Sequence, residues 1–147
     1  MSHTTSIRAV KIQSISALRA ALAELNKQGI RMTLAENAKP RAYFSNQTGM
    51  EVAPYVLQLQ DAKYDIGLYP AEGGGYEART DFWGGSVEKV LGVQACSVDS
   101  RDQAKMGKLY QYYALNAAEE QAIQQGYQTR RVAAEDGAIH IAITGTF

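Results

Sequence analysis

Tyr64-Asp65-Ile66-Gly67-Leu68-Tyr69-Pro70-Ala71-Glu72-Gly73-Gly74-Gly75-Tyr76-Glu77-Ala78-Arg79-Thr80-Asp81-Phe82-Trp83 is the stretch that decides the fold. Two short runs of alternating apolar and polar residues flank a glycine-rich connection, which is the pattern of a β-hairpin with a long tip. The stretch holds the single tryptophan, three of the nine tyrosines and four acidic residues. The segments before it prepare one side of a sheet, and those after it are expected to return to that sheet.

Upstream, Val52–Gln60 alternates, with Tyr55, Leu57 and Leu59 opposing Val56, Gln58 and Gln60. Pro54 confines the start of this strand to an edge or a strand beginning, because proline cannot donate to a ladder. With a turn at Asp61–Lys63, these strands make a meander. Ile30–Ala35 alternates too, Asn37–Pro40 reads as a turn, Arg41–Phe44 as a short strand and Ser45–Glu51 as a loop. Ile7–Gln13 reads as a strand near an edge because of its two cations. Between these lies the clearest helix: Ser14 is a cap, Ile15, Leu18, Leu22 and Leu25 recur at helical spacing, and Gly29 stops it.

Downstream, Gly84 and Gly85 break the sheet, and Ser86 caps a short helix over Val87–Leu91. Gly92–Ser100 is irregular, and a long helix is expected over Arg101–Gln125, with Met106, Leu109, Tyr113, Ala117 and Ile123 near one face. Tyr127–Val132 and Ala138–Thr144 read as strands joined at Asp136-Gly137, with Ile139, Ile141 and Ile143 on one side. The order implies one α+β domain over 1–147: a mostly antiparallel sheet covered by two amphipathic helices in a two-layer sandwich.

The chain has 147 residues, of which 46% are hydrophobic, so it can bury a core without metal or disulfide. Fifteen basic and fifteen acidic residues cancel, which removes the electrostatic reason to seek nucleic acid or an anionic membrane. One cysteine, no apolar leader and no run of about 20 apolar residues point to a cytoplasmic protein.

Several landmarks carry a family resemblance: Met1-Ser2-His3, Ile15-Ser16-Ala17-Leu18, Tyr64-Asp65-Ile66-Gly67, Tyr76-Glu77, Asp81, Phe82-Trp83 and Ser86-Val87-Glu88. Tyr113-Ala114, Gln125-Gly126-Tyr127-Gln128 and Asp136-Gly137 complete the set. In this order and spacing they resemble the ycf thirty-five-like family, a domain of unknown function found in cyanobacteria, plastids, bacteria and phages. The segment from Gly29 to Pro54 is longer than in that pattern, Gly92–Lys105 is inserted, and Asn116 stands where some relatives have a histidine. The resemblance implies the company of ferredoxin-like proteins and AAA-type ATPases, and it implies no established activity.

No residue set carries a recognisable reaction. Gly73–Gly75 precedes a strand and lacks the helix start that a phosphate-binding loop requires. His3 and His140 have no companions at metal-ligand spacing, and Cys96 has no histidine nearby in sequence. Asp65, Glu77 and Asp81 are either paired carboxylates or surface acids, with Arg79 a cross-strand partner. The aromatic residues of the hairpin and Tyr110, Tyr112 and Tyr113 serve either core packing or binding. The reading is a binding or adaptor domain without catalysis or cofactor. Asp65, Tyr69, Tyr76, Glu77, Asp81 and Trp83 form its surface, and a protein is its partner. Alternatives are a redox- or ATPase-associated accessory or small enzyme, and a phage protein that binds a host protein or sequesters a small ligand. Self-association through an edge strand is a further option.

Overall fold

The computed structural model describes residues 4–42, 51–81, 86–91, 107–133 and 139–146. Five strands form one sheet: β1 (Thr4–Ile12), β2 (Met32–Ala38), β3 (Ala53–Leu59), β4 (Ile66–Pro70) and β5 (Tyr76–Asp81). Their spatial order is β1-β5-β4-β3-β2, and every pairing is antiparallel. β3 to β5 make the expected meander, β2 extends it beyond β3, and β1 closes it on the β5 side. β1 and β2 are therefore the edges, joined by α1 (Ile15–Lys27).

α1 forms where its apolar stripe demands. Ser14 Oγ accepts from Ala17 N at 3.1 Å, relieving one of the orphan amides of the first turn. Ala17, Leu18, Ala21, Leu22 and Leu25 are all buried. Gly29 follows the helix with φ +89°, a conformation that glycine adopts without steric cost. The stripe packs with Leu57, Leu59, Ile66, Leu68 and Ala78 from the sheet in the main core. At this core's margin, Tyr55 and Tyr76 meet edge to face, with ring centroids 5.4 Å apart.

A short helix, α2 (Ser86–Val90), leads Leu91 into the core. The long helix, α3, is described over Gly107–Gln124. It is not amphipathic in the simple sense expected. Leu109, Tyr110 and Tyr113 join the core, Leu115 and Ala122 are buried outside that cluster, and Ile123 of the expected stripe is 54% exposed. The final hairpin explains the difference. β6 (Tyr127–Ala133) and β7 (Ile139–Thr146) do not return to the large sheet; they form a separate two-stranded sheet whose main contacts are with α3. α3 thus has neighbours on two sides, α1 and the hairpin, and a helix buried on both sides has no single apolar face.

Polar links fix α3 and the hairpin. The Tyr113 hydroxyl accepts from Gln13 N at 2.9 Å and Ser14 N at 3.2 Å. Glu120 accepts from the hydroxyls of Ser14 and Ser16 at 2.8 and 2.7 Å, placing a carboxylate at the positive end of α1. Arg131 of β6 bonds Glu119 of α3 at 2.6 Å and Glu24 of α1 at 2.8 Å, which raises its pKa. Burial against the core raises the pKa of Tyr110.

Candidate functional site

Part of the second face of the sheet, at Gly67, is covered by Pro40 of the chain leaving β2. Asn37 takes φ +51°, a left-handed conformation that asparagine tolerates better than most residues. β2 consequently continues to Ala38 through part of the expected turn, and no strand begins at Arg41 or Ala42. Pro40 then lies over Gly67, where a Cβ would stand 2.8 Å from Pro40 Cγ and 2.6 Å from Tyr69 Cε2. Only a glycine leaves room for both rings at this point.

Beyond Pro40, Arg41 reaches Asp65. Arg41 Nη2 and Nε donate to Asp65 Oδ1 at 2.8 and 3.0 Å, and Arg41 N donates to Oδ2 at 2.9 Å. Leu59 N completes the set at 3.3 Å, and Arg41 Nη2 also donates to the carbonyls of Leu59 and Ala62 at 2.7 and 3.2 Å. Asp65 is 2% exposed, whereas the Arg41 side chain is 52% exposed. The carboxylate's hydrogen bond raises the arginine pKa further. This pair ties the start of the β2–β3 connection to the β3–β4 turn.

A cavity of about 590 Å³ opens beside the pair, lined by Asn26, Arg31, Thr33, Lys39, Arg41 and Gln58 among others. Its frame follows from register: Met32 pairs with Leu59 and Thr33 with Gln58 where β2 begins and β3 ends. Asn26 of α1 clamps that corner, accepting from Met32 N at 3.2 Å and donating to Met32 O at 3.0 Å. Arg31 is held at the rim by Asp61, whose carboxylate it keeps below its ordinary pKa.

Of the residues expected to form a binding surface, Asp65 lies under this cleft, and Tyr69, Tyr76 and Glu77 do not line it. Tyr69 is 5% exposed, its hydroxyl donates to Glu51 O at 2.6 Å, and Arg79 Cζ lies 4.4 Å from its ring centroid. Burial, with Glu51 nearby, pushes its pKa up from 10.0 to about 12, against the opposing pull of Arg79. Glu77 is buried and bonds Arg79 two residues along the same strand at 3.0 Å, and Arg79 also lies 3.9 Å from the Glu51 carboxylate. Tyr76 is half-buried at the core margin, and Asp81 ends β5 opposite Thr4 of β1. Trp83, Phe82, His3, Cys96 and the Asp136-Gly137 turn lie outside the described residues.

Tyr69 pairs with Glu77 and Ile66 with Thr80, so Asp65 and Glu77 sit toward opposite ends of the β4–β5 pair, each with its own arginine. They do not form a carboxylate pair. His140 is exposed on β7, opposite Val132. Among the described residues no group of three histidine, cysteine or acidic side chains could hold a metal ion. No helix of the described residues is long and apolar enough to cross a membrane. Arg31, Lys39, Arg41 and Gln58 were not foreseen as site residues. The one signal is the Lys39-Pro40-Arg41 run, two cations around a chain-reversing proline.

No protein-family model, curated protein or solved structure matches the chain.

Proposed function

We propose that this chain is a non-enzymatic binding domain that takes a small polar ligand in the cleft between β2, the end of β3 and the Lys39–Arg41 segment. The observation that carries this reading is the cavity of about 590 Å³ built on a fixed floor. Small-molecule sites typically occupy roughly 300–1,000 Å³. The Arg41–Asp65 network holds that floor before any ligand arrives, which lowers the ordering cost of binding. The test is a fragment screen on the isotope-labelled chain by amide chemical shifts, repeated with Gln58→Trp to fill the cleft. Saturable shifts at Thr33, Gln58 and Gln60 that vanish in the filled variant support it. Shifts elsewhere, or none, overturn it.

A second reading keeps the Tyr64–Trp83 hairpin as a protein-docking element. Its exposed tip, Glu72–Gly74, favours it: three consecutive glycines with positive φ carry the tip, beside a second cavity of about 500 Å³ lined by Lys11 and Glu77. Ferredoxin-like proteins and AAA-type ATPases are the partner classes that the resemblance to the ycf thirty-five-like family suggests. A tagged pull-down in which Trp83→Ala loses a stoichiometric companion supports this reading, and an unchanged companion sinks it. A cytoplasmic setting belongs to the proposal, as does a second copy adding at the edge of β7. Among the described residues that edge pairs with nothing, and its side Ile143 is 57% exposed.

A further inference from the structure

We infer that the ligand of this cleft carries an oxyanion, a phosphate or carboxylate group; the inference rests on the ligand-binding reading above. A count of unused hydrogen-bonding capacity carries it. Among the described lining residues the side-chain oxygens of Asp65, Asn26 and Gln58 are already committed, which leaves the Gln60 amide oxygen as the spare amide or carboxylate acceptor. Asp65 Oδ1 accepts from Arg41 Nε, Arg41 Nη2 and Leu59 N, and Oδ2 accepts from Arg41 N and Nε. Asn26 Oδ1 accepts from Met32 N, and Gln58 Oε1 accepts from the Thr33 hydroxyl at 3.0 Å.

The donors are not committed to the same degree. Arg41 uses Nε and Nη2, so both protons of its Nη1 are unassigned among the described residues. Arg31 binds Asp61 through Nε and Nη2, again leaving Nη1. Lys39 lines the cavity with no carboxylate partner among the described residues, and the Gln58 amide nitrogen has no bond there. Among the described residues three cations and one consumed carboxylate line the cavity, in a chain whose total charges balance. A neutral polyol would need acceptors as well as donors, and few acceptors remain. An oxyanion is all acceptor, and charge-assisted bonds from guanidinium and ammonium groups are the stronger kind. The volume exceeds that of an isolated phosphate or carboxylate, so the group is borne by a larger organic molecule.

The experiment titrates the whole labelled chain with pyrophosphate, citrate and neutral glucose at constant ionic strength, following the Arg41 Nε and the Gln58 and Gln60 side-chain amides. The expected result is saturable shifts with pyrophosphate or citrate and none with glucose; which of the two binds tighter separates phosphate from carboxylate ligands. Lys39→Glu should weaken binding about tenfold or more, the loss of one charge-assisted bond. Lys108→Glu, an exposed cation on α3, should leave it unchanged. Equal weakening by both variants would mean a diffuse surface effect and overturns the inference. Glucose shifting the cleft while the anions do not overturns the oxyanion class but keeps a ligand site. Silence with all three probes, together with a blank fragment screen, removes both.

Discussion

Arg41→Met and Asp65→Asn break the same ion pair and should not cost the same. Asp65 is 2% exposed, while the Arg41 side chain is 52% exposed. Removing the arginine strands a buried carboxylate, which keeps only the backbone donors of residue 41 and Leu59 at 2.9 and 3.3 Å. It also takes a donor from the Leu59 and Ala62 carbonyls. Loss of one partner from a buried pair costs about 3–5 kcal/mol. Asp65→Asn instead leaves the charge on the half-exposed arginine, which water can solvate, while an amide oxygen still accepts. Its cost should be nearer ~1–2 kcal/mol, the scale of lost charge-assisted bonds. Urea unfolding monitored by far-UV dichroism measures both, provided the m-value is unchanged. The double variant gives the sharper test: on the Arg41→Met background, Asp65→Asn should stabilise, because it removes the stranded charge. The reasoning fails if Asp65→Asn is the more damaging single change. It also fails if both cost under ~1 kcal/mol, the value of a solvent-exposed pair.

Gly67→Ala should destabilise by about 1–3 kcal/mol in the same assay, since its Cβ would stand 2.6 Å from a ring carbon of buried Tyr69. Alkaline titration should show Tyr69 ionising late, because its pKa rises from 10.0 to about 12. The folded state then holds a proton that the unfolded chain has lost, so this contribution is intact below pH 10.0 and is lost as pH rises through about 12. Near-UV tyrosinate absorbance and denaturant midpoints across that window check the sign. Arg131→Met should loosen the β6–β7 hairpin locally. Amide exchange there should speed up about tenfold or more while β3 and β4 keep their protection.

α1 was legible because its environment is one-sided: Leu18, Leu22 and Leu25 face the sheet, and Ser14 and Gly29 punctuate the ends. α3 was only half legible. Leu115 and Ala122 fall outside its stripe and Ile123 is exposed, because a second neighbour claims the opposite side. The row Ile139, Ile141 and Ile143 marked one side of a strand but could not say what it meets; the hairpin packs on α3 in place of the expected sheet, with Ile139 and Ile141 half-buried and Ile143 57% exposed. Tyr69 and Asp65 read as surface residues because aromatic and acidic side chains concentrate in this hairpin. A wet second face would leave them exposed, but the chain turning at Asn37 places Pro40 over Gly67, beside the Tyr69 ring. The partnership of Asp65 with Arg41 spans 24 residues and leaves no local trace in either neighbourhood.

The same long-range pairing bears on what a neutral chain can bind. Equal totals of acids and bases predict weak attraction to anions only if the charges are spread evenly. Among the described residues several acids are committed to structural links: Glu24 and Glu119 to Arg131, Glu51 and Glu77 to Arg79, Asp61 to Arg31, and Glu120 to two serines at the end of α1. Among the described residues Asp65 is the one carboxylate lining the cleft, and it is buried and saturated. Lys39 and the outward half of Arg41 therefore face that cavity without a competing acid in its lining. A local excess of donors arises within balanced totals where the neighbouring carboxylates are already bound to other groups. A carboxylate introduced at Gln60, beside those donors, should compete with any anionic ligand much as Lys39→Glu does. If Gln60→Glu instead leaves anion binding intact while Lys39→Glu abolishes it, recognition rests on the lysine contact alone and not on the field of the cleft.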